Sequence, residues 1–259
     1  MNNLSIQNMK ITSLGLSCYL IENKNNARLL IDPFSDLPEH SFGLTLPKNL
    51  SADIFLASHA DEDHSNLNGK FARHQKNSNK KDTTKINPFP HLNLRGTLVK
   101  EYNGDLCIAY HFTIDNIRFL HLADNSHPLT KNQLKEIGKI DILFLPMPKS
   151  KSDNIKMEKE IIKKLNPKIV IPTHLISLPV SEINKGFELV EKKISKIILP
   201  EKKNPSANKI TVNIFTYMLL ATKNLINSYP SIEIESPTIK IDKLPKKTTI
   251  YHFTKYLSK

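Results

Sequence analysis

The stretch Ser58-His59-Ala60-Asp61-Glu62-Asp63-His64 decides how this chain is read. It follows Ala52-Asp53-Ile54-Phe55-Leu56-Ala57, which predicts a short buried strand over 53–57 entered from a polar loop. His59 and His64 offer imidazole nitrogens, and Asp61 and Asp63 offer hard carboxylate oxygens. These groups can surround one cation only if the backbone turns sharply. A continuing strand would send alternate side chains to opposite faces. Taken alone, the stretch also fits a solvated polar loop. Asp124 and His174 shift the balance towards metal, because each also follows an apolar strand.

The rest of the chain sets the bounds. Its 259 residues allow one large domain or two small ones, and 39% hydrophobic content suffices for a core. Lys+Arg 37 against Asp+Glu 25 gives a formal net charge of +12. That balance can serve nucleic acid, anionic membranes or anionic substrates. The lysines are spread along the chain, however, which favours a solvated basic surface over a nucleic-acid footprint. Cys18 and Cys107 form neither a disulfide framework nor a zinc cluster. Residues 1–8 lack a signal-peptide core, and no apolar run reaches the roughly 18 residues of a membrane span. The expectation is a soluble, cytoplasmic protein without a membrane partner.

Lys10–Thr12, Ser17–Glu22 and Arg28–Ile31 read as a meander of short strands, with turns at Gly15 and at 23–26. Asp32-Pro33 stops the third. Residues 35–51 and the lysine-rich 73–91 read as loops, the latter exposed and carrying His74 and His91. Strands follow at Thr97–Lys100, Leu106–Phe112 and Ile117–Leu122, with Asp115-Asn116 as a hairpin turn. Thr130 reads as the N-cap of a helix over Lys131–Ile137 that Gly138 ends. Ile140–Leu145 and Lys168–Ile171 are apolar enough to be covered on both faces. Helices are predicted over Asn154–Leu165, near Ser181–Lys192 and over Ile210–Ile226, with a strand at Lys196–Leu199. The amphipathic 210–226 is read as packing on the domain edge, with a homo-oligomer contact or a lid as the sharper alternatives. Strands first, then strands alternating with helices, fit two packed sheets with helices outside. His59, Asp124 and His174 each stand at the C-terminal end of an apolar strand, so converging strand ends would make one site.

At these residues the chain resembles the metallo-β-lactamase fold superfamily, and within it the small bacterial hydrolases of the ascorbate-lactonase-like group. Residues Lys10 to Glu22 and Asp32-Pro33 are similar to that group's opening. Ser58 to His64 stands where the family has His-x-His-x-Asp-His. His121-Leu122-Ala123-Asp124 resembles the strand ending in Gly-Asp, and His127-Pro128-Leu129-Thr130 continues the match. Ile171-Pro172-Thr173-His174 resembles the segment carrying the last metal histidine, and Lys243-Leu244-Pro245 the closing strand. The likeness covers roughly residues 9–200 and 236–253. It implies a single α/β domain over 1–259, a sandwich of two mixed β-sheets with helices on the outer faces (αββα), and a non-matching insertion at about 201–235.

The resemblance also implies a divalent metal ion, zinc or manganese. Asp63, His64, Asp124 and His174 would hold one ion. His59, the position of Asp61, a histidine from mid-chain and the shared Asp124 would hold another. The chain departs from this pattern in several places. Asp61 replaces a histidine, and no histidine lies between Val99 and Cys107, where Glu101, Asn103 and Asp105 are the candidate substitutes. Leu16 replaces a histidine, Pro148-Lys149 replaces a glycine pair, and Ala123 replaces a glycine. Oxygen in place of nitrogen at Asp61 favours harder cations. The expectation is therefore one strong metal position and a weak or empty second near His59 and Asp61. His121 is read as supporting a ligand or the core, His127 as bonding a ligand or capping the following helix, and His111 and His252 as surface or packing residues.

The implied activity is metal-dependent hydrolysis of an ester, lactone, amide or phosphodiester in a small-molecule substrate. A metal-bound hydroxide would attack, with Asp63 as ligand and general base. Two alternatives stand beside it: a degenerate member that binds metal or ligand without turnover, and a nucleic-acid-processing hydrolase. The second is disfavoured because such members carry a large inserted domain for which this chain has no room.

Overall fold

Along the central strands, successive side chains belong alternately to two apolar clusters. In the computed structural model, which describes residues 8–35, 44–66, 89, 92–149, 155–174, 178–185, 187–198 and 205–257, Phe119, Ile142, Phe144, Ile169 and Ile171 join one cluster. Leu120, Leu143, Leu145 and Val170, which lie between them in sequence, join the other. Period two sends neighbours to opposite faces of a sheet. The unbroken apolar runs predicted for 140–145 and 168–171 are thus strands buried on both sides.

The elements in chain order are β1 (Met9–Gly15), β2 (Cys18–Glu22), β3 (Arg28–Ile31), β4 (Ile54–Leu56), β5 (Arg95–Lys100), β6 (Leu106–Ile114), β7 (Ile117–His121), α1 (Lys131–Ile137), β8 (Ile142–Pro146), α2 (Lys156–Leu165), β9 (Ile169–Thr173), α3 (Val180–Ile183), α4 (Phe187–Ile198), α5 (Pro205–Ile226), β10 (Ser231–Ile234), β11 (Thr238–Ile241) and β12 (Thr249–Phe253). One sheet has the order β11-β1-β2-β3-β4 and the other β10-β12-β9-β8-β7-β6-β5. Both are mixed: β3 and β4 run parallel beside an antiparallel meander, and β7, β8, β9, β12 and β10 run parallel beside the β5–β6–β7 meander.

The first cluster lies between the sheets. Met9, Ile11, Ile21, Leu29 and Ile31 come from one sheet, and Phe112, Phe119, Phe144, Ile171 and Phe253 from the other. The second cluster collects the outer faces with Ile137 of α1, Ile161 and Ile162 of α2, Ile194 of α4 and Phe215 and Leu219 of α5. This is the expected αββα sandwich. The Thr130 cap is present, with a capping box to Gln133, and Gly138 ends α1. Asp115 and Asn116 turn the β6–β7 hairpin with φ of 48° and 65°, values that Asn and Asp tolerate better than most residues.

Several expectations need correction. The strand over 53–57 shrinks to Ile54–Leu56 and is not fully buried, since β4 is a sheet edge and Phe55 is exposed. Lys196–Ile198 close α4 instead of forming a strand, because Val190 and Ile194 extend a helical period into them. The helix near 181–192 is two helices, α3 and α4. Lys243-Leu244-Pro245 is the connection between β11 and β12 and not a strand. Of the two roles expected for His111 and His252, packing is the one observed: both are buried, bonded to Thr97 Oγ1 and to the Leu178 carbonyl. The loop predicted at 73–91 lies outside the described residues except for Phe89, which is buried. The helix predicted from 210 begins earlier, at Pro205. Its Val212, Phe215, Met218, Leu219 and Leu225 are buried in the outer cluster, which is the packing role.

Candidate metal centre

Three strand ends and one turn meet at a single place. β3 ends at Asp32 with φ 45°, β7 runs into Ala123 with φ 50°, and β9 runs into His174 with φ 63°. All three lie in the left-handed region, which costs a non-glycine residue energy and concentrates at functional sites. The turn between β1 and β2 has the same character, with Gly15 at φ 102° and Leu16 at 52°. A Cβ at Gly15 would come within 2.7 Å of Leu44 Cδ1, so this corner requires glycine twice over. The turn also serves the site. The Leu16 carbonyl accepts from the His174 backbone N–H at 3.0 Å, and Ser17 Oγ lies 3.0 Å from His64 Nδ1.

Asp32 carries the loop after β4. It accepts from the Ser58 N–H at 2.8 Å and from Ser58 Oγ at 2.9 Å, and its Oδ2 lies 2.8 Å from His64 Nδ1. The His64 N–H donates to the Asp61 carbonyl at 2.8 Å, which makes the sharp turn the motif demands. The ring of His64 is thereby aimed so that Nε2 points inward. That nitrogen lies 2.9 Å from His174 Nε2, 3.1 Å from Asp124 Oδ1 and 3.6 Å from Asp63 Oδ2. His174 Nε2 is also in contact with Asp124 Oδ1. His59 Nε2 faces Asp61 Oδ2 at 3.6 Å and Glu101 Oε1 at 3.8 Å. The structure therefore brings together His59, Asp63, His64, Asp124 and His174. Asp61 stands at the rim, with its side chain 67% exposed.

Glu101, one of three candidates for the missing mid-chain ligand, is buried beside His59 at the end of β5. Asn103 and Asp105 instead bond each other on an exposed turn. Other residues went unread in sequence. Asp32 reads in sequence as a strand stop and as part of the family-like Asp32-Pro33, without a role at the site, and Ser17 and Ser58 carry no signal of their own. Lys149 was seen only as a replacement for a glycine. Its Nζ lies 2.5 Å from Asp124 Oδ2. The one available signal was that departure from the glycine pair. His121, fully buried, supports the centre from behind, with Nε2 3.6 Å from Asp32 Oδ2 and 3.3 Å from the Ser17 carbonyl. His127 does not cap α1, a place Thr130 takes, and its Nδ1 is 3.2 Å from the Lys100 carbonyl.

The charges are tightly linked. Burial raises the Asp124 carboxyl, but His174 and His64 beside it bring it well below its ordinary value. Burial lowers His64, yet Asp32 and Asp124 on its two sides hold it well above the usual imidazole range. For His174 burial wins over Asp124, and the ring is lowered. Burial likewise raises Glu101, with His59 opposing. Without a metal, the array is thus knitted by a proton on His64.

Two observations show that a cation fits. Among the described residues His59 Nε2 is a buried polar atom without a hydrogen-bond partner, an expensive arrangement that an ion removes. Among the described residues, His59–Asp63–His64, His64–Asp124–His174 and His59–Glu101–Asp124 each place their ligand-type atoms within 4.8 Å of one another.

A two-sheet αββα sandwich with imidazoles and carboxylates gathered at its strand ends is the metallo-β-lactamase class of fold. The chain belongs to that superfamily: the family described as the beta-lactamase superfamily domain matches residues 10–174. A UPF0173 metal-dependent hydrolase of Carboxydothermus hydrogenoformans is 26% identical over 208 residues, covering 69% of this chain and 89% of its own length. A UPF0173 protein of Pyrococcus furiosus is 24% identical over 190 residues, covering 64% of this chain and 83% of its own. A crystal structure of a candidate zinc-dependent hydrolase of the metallo-beta-lactamase superfamily from Thermotoga maritima superposes with a TM-score of 0.52. It covers 95% of this chain and 99% of its own at 21% identity, a likeness of fold. Among the described residues no helix is long and apolar enough to cross a membrane.

Proposed function

We propose that the chain is a metal-dependent hydrolase of a small-molecule substrate. The observation that carries this reading is the buried Asp124 Oδ1 facing the Nε2 atoms of His64 and His174. Asp63, His64, Asp124 and His174 would hold a divalent ion, zinc or manganese, since two nitrogens and two carboxylates suit either. His59, Asp61 and Glu101 border a second, harder position. A bound ion supplies Lewis acidity and lowers the pKa of a water. The chain's own residues do the rest. Asp32 and Ser17 fix the His64 ring, which leaves Nε2 free to face inward. Asp63, partly exposed at the rim, is placed to accept a proton from the attacking water.

A cavity of about 490 Å³ adjoins the centre, with Lys149, Tyr102, His127, Met147 and Lys156 in its wall. Its size suits a small molecule. The reading of a non-catalytic binder is favoured by a different observation, the Lys149 ammonium on Asp124. Hydrolysis assays separate the two. Phosphodiester, ester and lactone substrates are offered to the manganese- and zinc-loaded protein, and turnover of one class that Asp63→Asn abolishes supports the hydrolase. A bound metal with no turnover on any class supports the binder.

A further inference from the structure

Asp124 divides its two oxygens between different partners. Oδ1 meets the imidazoles of His64 and His174, while Oδ2 meets the Lys149 ammonium at 2.5 Å. The two ligand groups His64–Asp124–His174 and His59–Glu101–Asp124 have only Asp124 in common. A carboxylate can bridge two dications through one oxygen or through both. Here the oxygen not facing His64 and His174 already carries a fixed positive charge. A divalent ion on His59 and Glu101 that also reached Asp124 would lie close to that ammonium, whichever oxygen it took, and be repelled by it. The chain from which Lys149 comes is also anchored: it leaves the end of β8, where Met147 is buried.

We infer that Lys149 is a tethered cation standing in for a second metal on Asp124, so that the centre takes a single divalent ion, on His64, Asp124 and His174. This rests on the metal-centre reading above. It assigns a role to a residue where the family pattern has glycine, and it makes the positive charge at the second position permanent rather than exchangeable. His59 and Glu101 then serve as hydrogen-bonding groups instead of ligands.

The test is manganese(II) titration of the metal-free full chain, by calorimetry and by elemental analysis after desalting. The wild type should bind one ion per chain. Lys149→Met keeps the side-chain length and removes the charge, and should bind two. The double variant Lys149→Met/Glu101→Gln should return to one, because the second ion loses a carboxylate. Lys149→Arg, which keeps the charge, should bind one. Electron paramagnetic resonance supplies a reading that needs no variant, since two manganese ions sharing Asp124 give an exchange-coupled spectrum and one ion gives an isolated six-line pattern. A coupled pair in the wild type, or one ion in a folded Lys149→Met, overturns the inference and leaves the metal centre standing. No bound ion in any of these proteins overturns the metal centre itself.

Discussion

His64 and Asp32 face each other 2.8 Å apart, Nδ1 to Oδ2, and both side chains are wholly inaccessible to solvent. Asp32 touches neither His174 nor Asp124 in this arrangement, yet it determines which nitrogen of His64 is free. Burial raises the Asp32 carboxyl, but His121 and His64 bring it below its ordinary value, so it is an anion across the neutral range. Asp32→Asn keeps the shape and removes the charge that orients and polarises the ring. Partners of this kind are worth about 10–100-fold in metal affinity. Competition of the variant and the wild type against a fluorescent chelator should show a loss of that size.

Metal binding should also release protons. His64 is raised well above its ordinary value by Asp32 and Asp124, and an incoming cation must displace that proton. Metal affinity should therefore fall as pH is lowered. The metal-free protein should do the opposite. A folded-state pKa above the unfolded value of about 6.5 gives stability that is fully present below that value and is lost as pH rises through the folded pKa. Calorimetry in buffers of different ionisation enthalpy counts the protons. An affinity independent of pH would show that His64 is not a ligand.

Asp63→Asn should abolish hydrolysis while leaving the fold intact. Asp63 is partly exposed and close to His64 and His59, so its loss removes one anion from a crowded acidic rim. Metal-free stability should change little, because the loss of repulsion between neighbouring carboxylates is offset by the loss of Asp63's attraction to His64. Metal-loaded stability should fall, since the ion's binding contributes to folding only through intact ligands. Thermal melts with and without manganese check both.

Ala123 precedes Asp124 with φ 50°, where a Cβ crowds the backbone. Ala123→Gly relieves that contact at some cost in unfolded-chain entropy. The net should be a gain of up to about 1 kcal/mol, read as a rise in denaturation midpoint. A loss of stability would mean that the backbone here is not strained.

Away from the centre, Asp141 binds the Arg118 side chain by two contacts of 2.7 Å and its N–H at 3.0 Å, which ties the start of β8 to β7. Arg118→Met should cost about 1–2 kcal/mol, reduced from a buried pair because Arg118 is partly exposed. Burial raises the Asp141 carboxyl, but its bonds to Arg118 lower it overall. Its contribution is present above the unfolded value of about 3.9 and is lost as pH falls through the folded pKa. Urea titrations at pH 7 and pH 3 should show the variant's deficit shrinking at the lower pH.

Local pattern determined much of this molecule. The apolar runs of β8 and β9, the Thr130 cap and the Asp115-Asn116 turn act through neighbours a few residues away, and each was readable where it stands. The place of His59, Asp124 and His174 at strand ends was readable for the same reason. Lys196–Ile198 was misread because a short apolar run ending a helix has the composition of a strand. Burial of β4 was overstated because the position of a strand within a sheet is not a local property.

The remainder depended on contacts between residues far apart in the chain. Glu101, Asn103 and Asp105 are equivalent carboxylate or amide candidates on paper, and only the closing of β5 onto the loop after β4 buries Glu101 beside His59. Asp32 reads as a strand stop until Ser58 and His64 fold over it, and Lys149 reads as the replacement of a glycine until it meets Asp124. Sequence determined which ligand types were available and that strand ends would present them. Tertiary structure decided which nitrogen of His64 faces inward and which oxygen of Asp124 is already taken, because those choices are made by electrostatic partners that no local pattern can bring together.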